Sequence, residues 1–230
     1  MSYKSLRAFG LAISLLAFSG CTSLQTREAE APPPPQNLLG TTDEFQLVTE
    51  LAIELAANHG GNHVLVVLEI DNTLMTLEQG SACSNGVMRP TQPDMEKQVR
   101  RMQDAGLKVI VVTSRKPGCR VQTMEELRRN GFSFRVSAWP PQDGYPEPFI
   151  TEGGVRPVLY QNGVFFTSGQ DKGLMLKALL AKNGDLNPAL IVMADHEQAD
   201  LNAVIKAFSW SGIKVHAWRY TREPAIASAQ

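Results

Sequence analysis

His63-Val-Leu-Val-Val-Leu-Glu-Ile70 is a continuous apolar, β-branched run that breaks at Asp71-Asn72-Thr73. A strand with one wet face alternates apolar and polar residues, whereas a strand covered on both faces reads as an unbroken run of this kind. It is therefore the expected central strand. Upstream, Phe45, Val48, Leu51, Ala52 and Leu55 recur at helical spacing, with Thr41, Thr42 or Asp43 as cap and Gly60 as stop. Downstream, Thr91 and Asp94 make a capping-box-like pattern before Met95, Val99 and Met102, and Gly106 ends that helix.

A second buried strand is expected over 108–113. Then come a helix carrying Val121, Met124 and Leu127 up to Gly131, and a short strand from Phe134 to Ser137. The segment 139–157 holds five prolines and little periodicity, so it reads as a loop or small covering segment. Asn162-Gly163 between 157–161 and 164–167 has the chemistry of a two-residue hairpin turn, since both positions tolerate positive φ. A helix over 172–182, a strand over 189–194, a helix with Leu201, Val204, Ile205 and Phe208 on one face, and a strand over 213–218 complete the pattern. Buried strands alternating with amphipathic helices predict an α/β fold, a parallel sheet covered by helices on both faces.

The chain has 230 residues, 22 basic against 23 acidic, and 43% hydrophobic residues, enough for one full-sized core. A net charge of −1 offers no basic footprint for nucleic acid. Residues 1–20 read as a secretory signal: Lys4 and Arg7, an apolar run from Ala8 to Phe18, then Ser19 and Gly20. That run is too short to span a bilayer. Phe18-Ser19-Gly20-Cys21 resembles the bacterial lipobox, whose cysteine is lipidated, with Phe18 as its departure. Thr22 after the cysteine resembles Gram-negative lipoproteins sent to the outer membrane, so the expected location is its periplasmic face, through a lipid anchor. Residues 21–40, with Pro32 to Pro35, read as a semi-rigid tether, and the folded domain is expected over 41–230. With Cys21 taken by lipid, Cys83 and Cys119 remain for one disulfide in an oxidising compartment. Both follow the first two sheet strands. Free thiols beside the site are the competing reading.

In a parallel sheet, ligands bind outside the carboxyl ends of the strands. The first strand ends in Glu69-Ile70-Asp71-Asn72-Thr73, the second in Thr113-Ser114-Arg115, and the one near 190 in Asp195, with Asp200 five residues on; Lys172 opens the helix before it. Acidic residues from two strands converging on one spot make an oxygen cage for Mg²⁺, and a hydroxyl and an ammonium beside it would hold a phosphoryl group. These residues, in this order over 63–218, resemble the haloacid dehalogenase-like (HAD) superfamily. The segment Tyr160 to Gly173 also resembles an uncharacterised bacterial HAD-like family. The resemblance implies a Rossmann-like core with a small cap at Met75 to Arg89 and at 139–157. Glu69 then falls on the nucleophile position, Asp71 on the general acid/base, and Thr113 and Lys172 on phosphate-holding positions. Glu69, Asp71, Asp195 and Asp200 fall on the Mg²⁺ cage. Asn72, Ser114 and Arg115 fall on substrate contacts, although a solvated loop role for Arg115 is an equal reading.

Where the superfamily has Asp, this chain has Glu69. One extra methylene moves the attacking oxygen by about 1.5 Å on an unchanged backbone, and a 1 Å misplacement can cost on the order of 100-fold. Metal binding is less exacting, because Mg²⁺ can keep waters where a ligand is displaced. His196 reads as a polar residue at a helix start or a pH-sensitive ligand. His59, His63 and His216 share no zinc-ligand spacing. Two functions follow. One is a non-catalytic envelope lipoprotein that binds metal, a phosphorylated small molecule or an envelope protein; the other is an active Mg²⁺-dependent phosphomonoesterase.

Overall fold

Val64–Leu68, the interior of the 63–70 run, has no solvent exposure at any residue. The computed structural model describes residues 37–184 and 186–222. In chain order these form β1 (Leu38–Thr42), α1 (Phe45–His59), β2 (Val64–Leu68), β3 (Met75–Gln79), β4 (Val87–Pro90) and α2 (Met95–Asp104). There follow β5 (Lys108–Thr113), α3 (Arg120–Arg129), β6 (Leu159–Gln161), β7 (Val164–Phe166), α4 (Lys172–Lys182), β8 (Leu190–Asp195), α5 (Gln198–Phe208) and β9 (Lys214–Tyr220). A seven-stranded sheet runs in the order β1-β9-β8-β2-β5-β7-β6, parallel except for β6, which pairs antiparallel to β7. The fold is α/β with a Rossmann-like core.

Alternation along β2 divides the interior into two layers. Val64, Val66 and Leu68 join Phe45 and Val48 of α1, Met95 and Val99 of α2 and Leu127 of α3. Leu65 and Val67 join Met175 and Leu179 of α4 and Leu201 and Val204 of α5 on the other face. Each such buried side chain contributes about 1.5–3 kcal/mol relative to exposure, so the two-sided burial of β2 helps to anchor the sheet. Asn162 (φ 49°) and Gly163 (φ 79°) make the expected turn between β6 and β7.

Four expectations differ. Phe134 to Ser137 is not a strand: Arg135–Ser137 is a 3₁₀ turn, because β7 takes the edge of β5 and the Ser137 hydroxyl instead donates to the Val109 carbonyl (3.1 Å). The chain enters the sheet at Leu38, three residues before the expected domain start, as β1 pairs in register with β9. Leu38 and Leu39 stay about half exposed on this edge, so no burial pattern marked it. Thr91 and Asp94 do not form a capping box: Thr91 Oγ1 donates to the Thr73 carbonyl (2.6 Å), and Asp94 accepts from Gln92 and Gln98. In α3, Val121 faces solvent, and Thr123 and Glu126 turn inward with Leu127.

Segment 139–157 runs beside β6, where Tyr145 N–H donates to the Tyr160 carbonyl (2.7 Å) and Phe149 exchanges backbone bonds with Val158. Its aromatics Tyr145 and Phe149 lie under Lys182, the last residue of α4 and so the end opposite Lys172. It covers a sheet edge. The antiparallel β3–β4 hairpin leaves the strand-end loop directly after Leu74 and returns at Thr91, whose N–H donates to the Leu74 carbonyl (3.1 Å). The residues expected as signal and lipidation site, 1–20 and Cys21, lie outside the described residues. No helix among the described residues is long and apolar enough to cross a membrane.

Candidate functional site

The chain passes from β2 to β5, β7 and β6 on one side and returns to β8 on the other, so the strand order reverses between β2 and β8. Ligand crevices in such sheets open at that switch point, outside the carboxyl ends. Glu69 and Asp195 stand on its two sides. Glu69 N–H donates to the Ala194 carbonyl (3.1 Å), which continues the ladder one residue beyond β2. The chain then turns tightly, with Met75 N–H on the Ile70 carbonyl (2.9 Å) and Asn72 N–H on the Met75 carbonyl (2.7 Å). Asn72 takes φ 54°, a left-handed conformation that Asn tolerates better than most residues.

Lys172 is the centre of the site. Asp171 caps α4 by accepting from Leu174 N–H (2.8 Å), which starts the helix at Lys172 and aims its side chain at the strand ends. Its ammonium donates to Glu69 Oε2 and Asp195 Oδ2 (2.6 Å) and lies 2.8 Å from Asp200 Oδ2. The side chains of Lys172, Glu69 and Asp195 are at most 3% exposed, and that of Asp200 is 26% exposed. Burial opposes the charge on Lys172, but the attraction of Glu69, Asp195 and Asp200 outweighs it and holds the ammonium above the ordinary lysine range. Burial pushes the Glu69 carboxyl up to about 7 against the pull of Lys172, and raises Asp195 as well. Asp195 also accepts from Glu197 N–H (2.9 Å), and His196 Nδ1 stands 3.5 Å from Asp195 Oδ1.

Asp71 belongs to a second cluster. Arg115 holds it through two bonds, Nη2 to Oδ1 (2.8 Å) and Nε to Oδ2 (3.0 Å), while Nη1 donates to Thr123 Oγ1 (2.9 Å) and Glu126 Oε2 (2.6 Å). Arg115 is therefore not a solvated loop residue; it is a buried tie between the β2 turn and α3. Glu126 and Thr123 escaped sequence reasoning, although two polar residues at i, i+3 on the same helix face as Leu127 were a visible signal. Thr113 is buried, and its Oγ1 accepts from Arg115 N–H (3.3 Å). Ser114 and Asn72 are exposed.

Among the described residues no group of three or more His, Cys, Asp or Glu side chains is arranged to hold a metal ion. The reason is local: the Lys172 ammonium sits between the carboxylates of Glu69, Asp195 and Asp200, and Arg115 neutralises Asp71. In this arrangement each of the four carboxylates expected as Mg²⁺ ligands meets a cationic side chain instead.

Cys83, in the turn between β3 and β4, is disulfide-bonded to Cys119, which precedes α3. The bond ties the hairpin to the loop carrying Ser114 and Arg115. Comparison with curated proteins and with solved structures yields no match. Residues 78–226, more than half of the chain and including Thr113, Lys172, Asp195 and both bonded cysteines, match one family. The chain belongs to the family described as "Protein of unknown function (DUF2608)".

Proposed function

We propose that this protein is a lipid-anchored envelope protein with a HAD-like, phosphatase-type strand-end site that no longer turns over. In this reading Glu69 replaces the nucleophilic Asp, and the protein acts by binding a phosphorylated small molecule or an envelope protein. The observation that carries the reading is the convergence of Lys172 on Glu69 and Asp195 across the switch point. Phosphoryl transfer would need a carboxylate oxygen in line with phosphorus, and the extra methylene of Glu69 displaces that oxygen by about 1.5 Å. The Cys83–Cys119 disulfide supports a location in an oxidising compartment, and the proposed periplasmic face of the outer membrane is one.

A second reading, an active Mg²⁺-dependent phosphomonoesterase, draws on the retained Asp71, Thr113, Lys172, Asp195 and Asp200. The deciding experiment is hydrolysis of p-nitrophenyl phosphate with Mg²⁺ by wild type, Glu69→Asp and Asp71→Asn. The expected result is no turnover by wild type. Robust wild-type turnover abolished in Asp71→Asn would replace the first reading with the second.

A further inference from the structure

The Glu69 carboxylate has donors on both oxygens. Ile70 N–H (2.8 Å) and Asp71 N–H (3.2 Å) donate to Oε1, and the Lys172 ammonium donates to Oε2. Two consecutive backbone N–H groups aimed at one point, beside a buried ammonium, form an anion receptor. Its anion is here a side chain of the same chain, carried on the residue just before the two N–H groups.

We infer that Glu69 is a built-in occupant of an oxyanion receptor made by Ile70 N–H, Asp71 N–H and Lys172, so that external oxyanions are kept from this point until the side chain is shortened. The inference rests on the proposed reading for the location of the site and narrows that reading's ligand to the envelope protein, because in wild type the Glu69 side chain already fills the oxyanion point.

Charge and size set the class of replacement ligand. Beyond Cβ, the glutamate side chain is CH₂–COO⁻, the size and charge of acetate. Lys172 also meets Asp195 and Asp200, so above about pH 7, where Glu69 is ionised, exchanging one monoanion for another leaves the local charge unchanged. A phosphate dianion would add a negative charge beside two carboxylates, which like-charge repulsion opposes. Glu69→Ala should therefore open a site for small carboxylates in preference to inorganic phosphate.

The test is sodium acetate titration of the full-length protein, followed by thermal midpoint against sodium chloride at equal ionic strength. Wild type, Glu69→Ala and Glu69→Ala/Lys172→Met are compared. Acetate is expected to bind Glu69→Ala at least about tenfold more tightly than wild type, the advantage of not displacing a charge-assisted contact, and the double variant should lose that gain. Equal acetate binding by wild type, or retention in the double variant, overturns the inference. Should Glu69→Ala not fold, the amide proton shifts of Ile70 and Asp71 are read in wild type and Glu69→Gln. Loss of the charged acceptor should move both upfield, and unchanged shifts overturn the inference equally. Wild-type phosphomonoester turnover would sink the non-catalytic reading while leaving the acetate result to be judged by itself.

Discussion

Replacing Lys172 by Met keeps a long, unbranched side chain in the same space and removes only the ammonium. The packing change is worth less than about 1.5 kcal/mol, as for volume-conserving swaps in cores. The electrostatic change is larger, because Lys172 is 1% exposed and the carboxylates of Glu69 (3%) and Asp195 (0%) have little access to water. Asp200, at 26%, can turn to solvent. Removing one partner of a buried pair costs about 3–5 kcal/mol, whereas a solvated pair would cost at most about 1. For a domain of this size 1 kcal/mol moves the thermal midpoint by about 2–4 °C, so Lys172→Met should lower it by roughly 6–20 °C. Urea unfolding followed by circular dichroism gives the free energy directly. Adding Glu69→Gln to Lys172→Met removes a buried carboxyl left without its cation, so the double variant should regain part of the loss and show clear coupling. A loss under about 1 kcal/mol, or additive single effects, would refute the claim that this cluster is dry and that Lys172 compensates it.

Three further outcomes follow from local structure. Cys83→Ser/Cys119→Ser opens a loop of sequence separation 36, for which chain entropy predicts a loss of about 4 kcal/mol in urea unfolding; a change below about 0.5 kcal/mol would contradict a bond present in the folded protein. At Gly173 an added Cβ would stand 2.2 Å from the Ala203 carbonyl oxygen, so Gly173→Ala should push α4 off α5 and destabilise by about 1–3 kcal/mol, measured the same way. Burial, then Lys214 and His59, holds the His216 pKa below its usual 6.5, and its Nδ1 has no hydrogen-bond partner. Because the fold favours the neutral ring, its stability is complete above pH 6.5 and declines as pH falls through the lowered pKa. His216→Phe should flatten that decline in urea midpoints between about pH 7 and pH 5; an unchanged slope would assign the decline to other groups.

The strands that deliver Glu69, Thr113 and Asp195 were legible because each is buried on both faces and so reads as an apolar run. The turn at Asn162-Gly163 was legible because positive φ selects those residues. Edge elements carry no such mark. β1 leaves Leu38 and Leu39 half exposed, and the β3–β4 hairpin has exposed Leu77 and Val87, so neither shows a burial period. The 3₁₀ turn at Arg135–Ser137 looked like a strand because local propensity does not report that β7 already occupies the neighbouring edge.

By itself the sequence determined the layered α/β architecture and the set of residues at its strand ends, since periodicity and turn chemistry are local properties of the chain. Partnership among those residues was decided only in three dimensions. Glu69, Lys172 and Asp195 are far apart in sequence, yet the switch point brings them within hydrogen-bond reach. Asp71, two residues from Glu69, is instead drawn to Arg115 and through it to Glu126. Charge sign and spacing place four carboxylates and two cations near the carboxyl ends of the strands. Which cation each carboxylate meets depends on burial and on the direction in which each turn releases its side chain, and that is a property of the packed sheet.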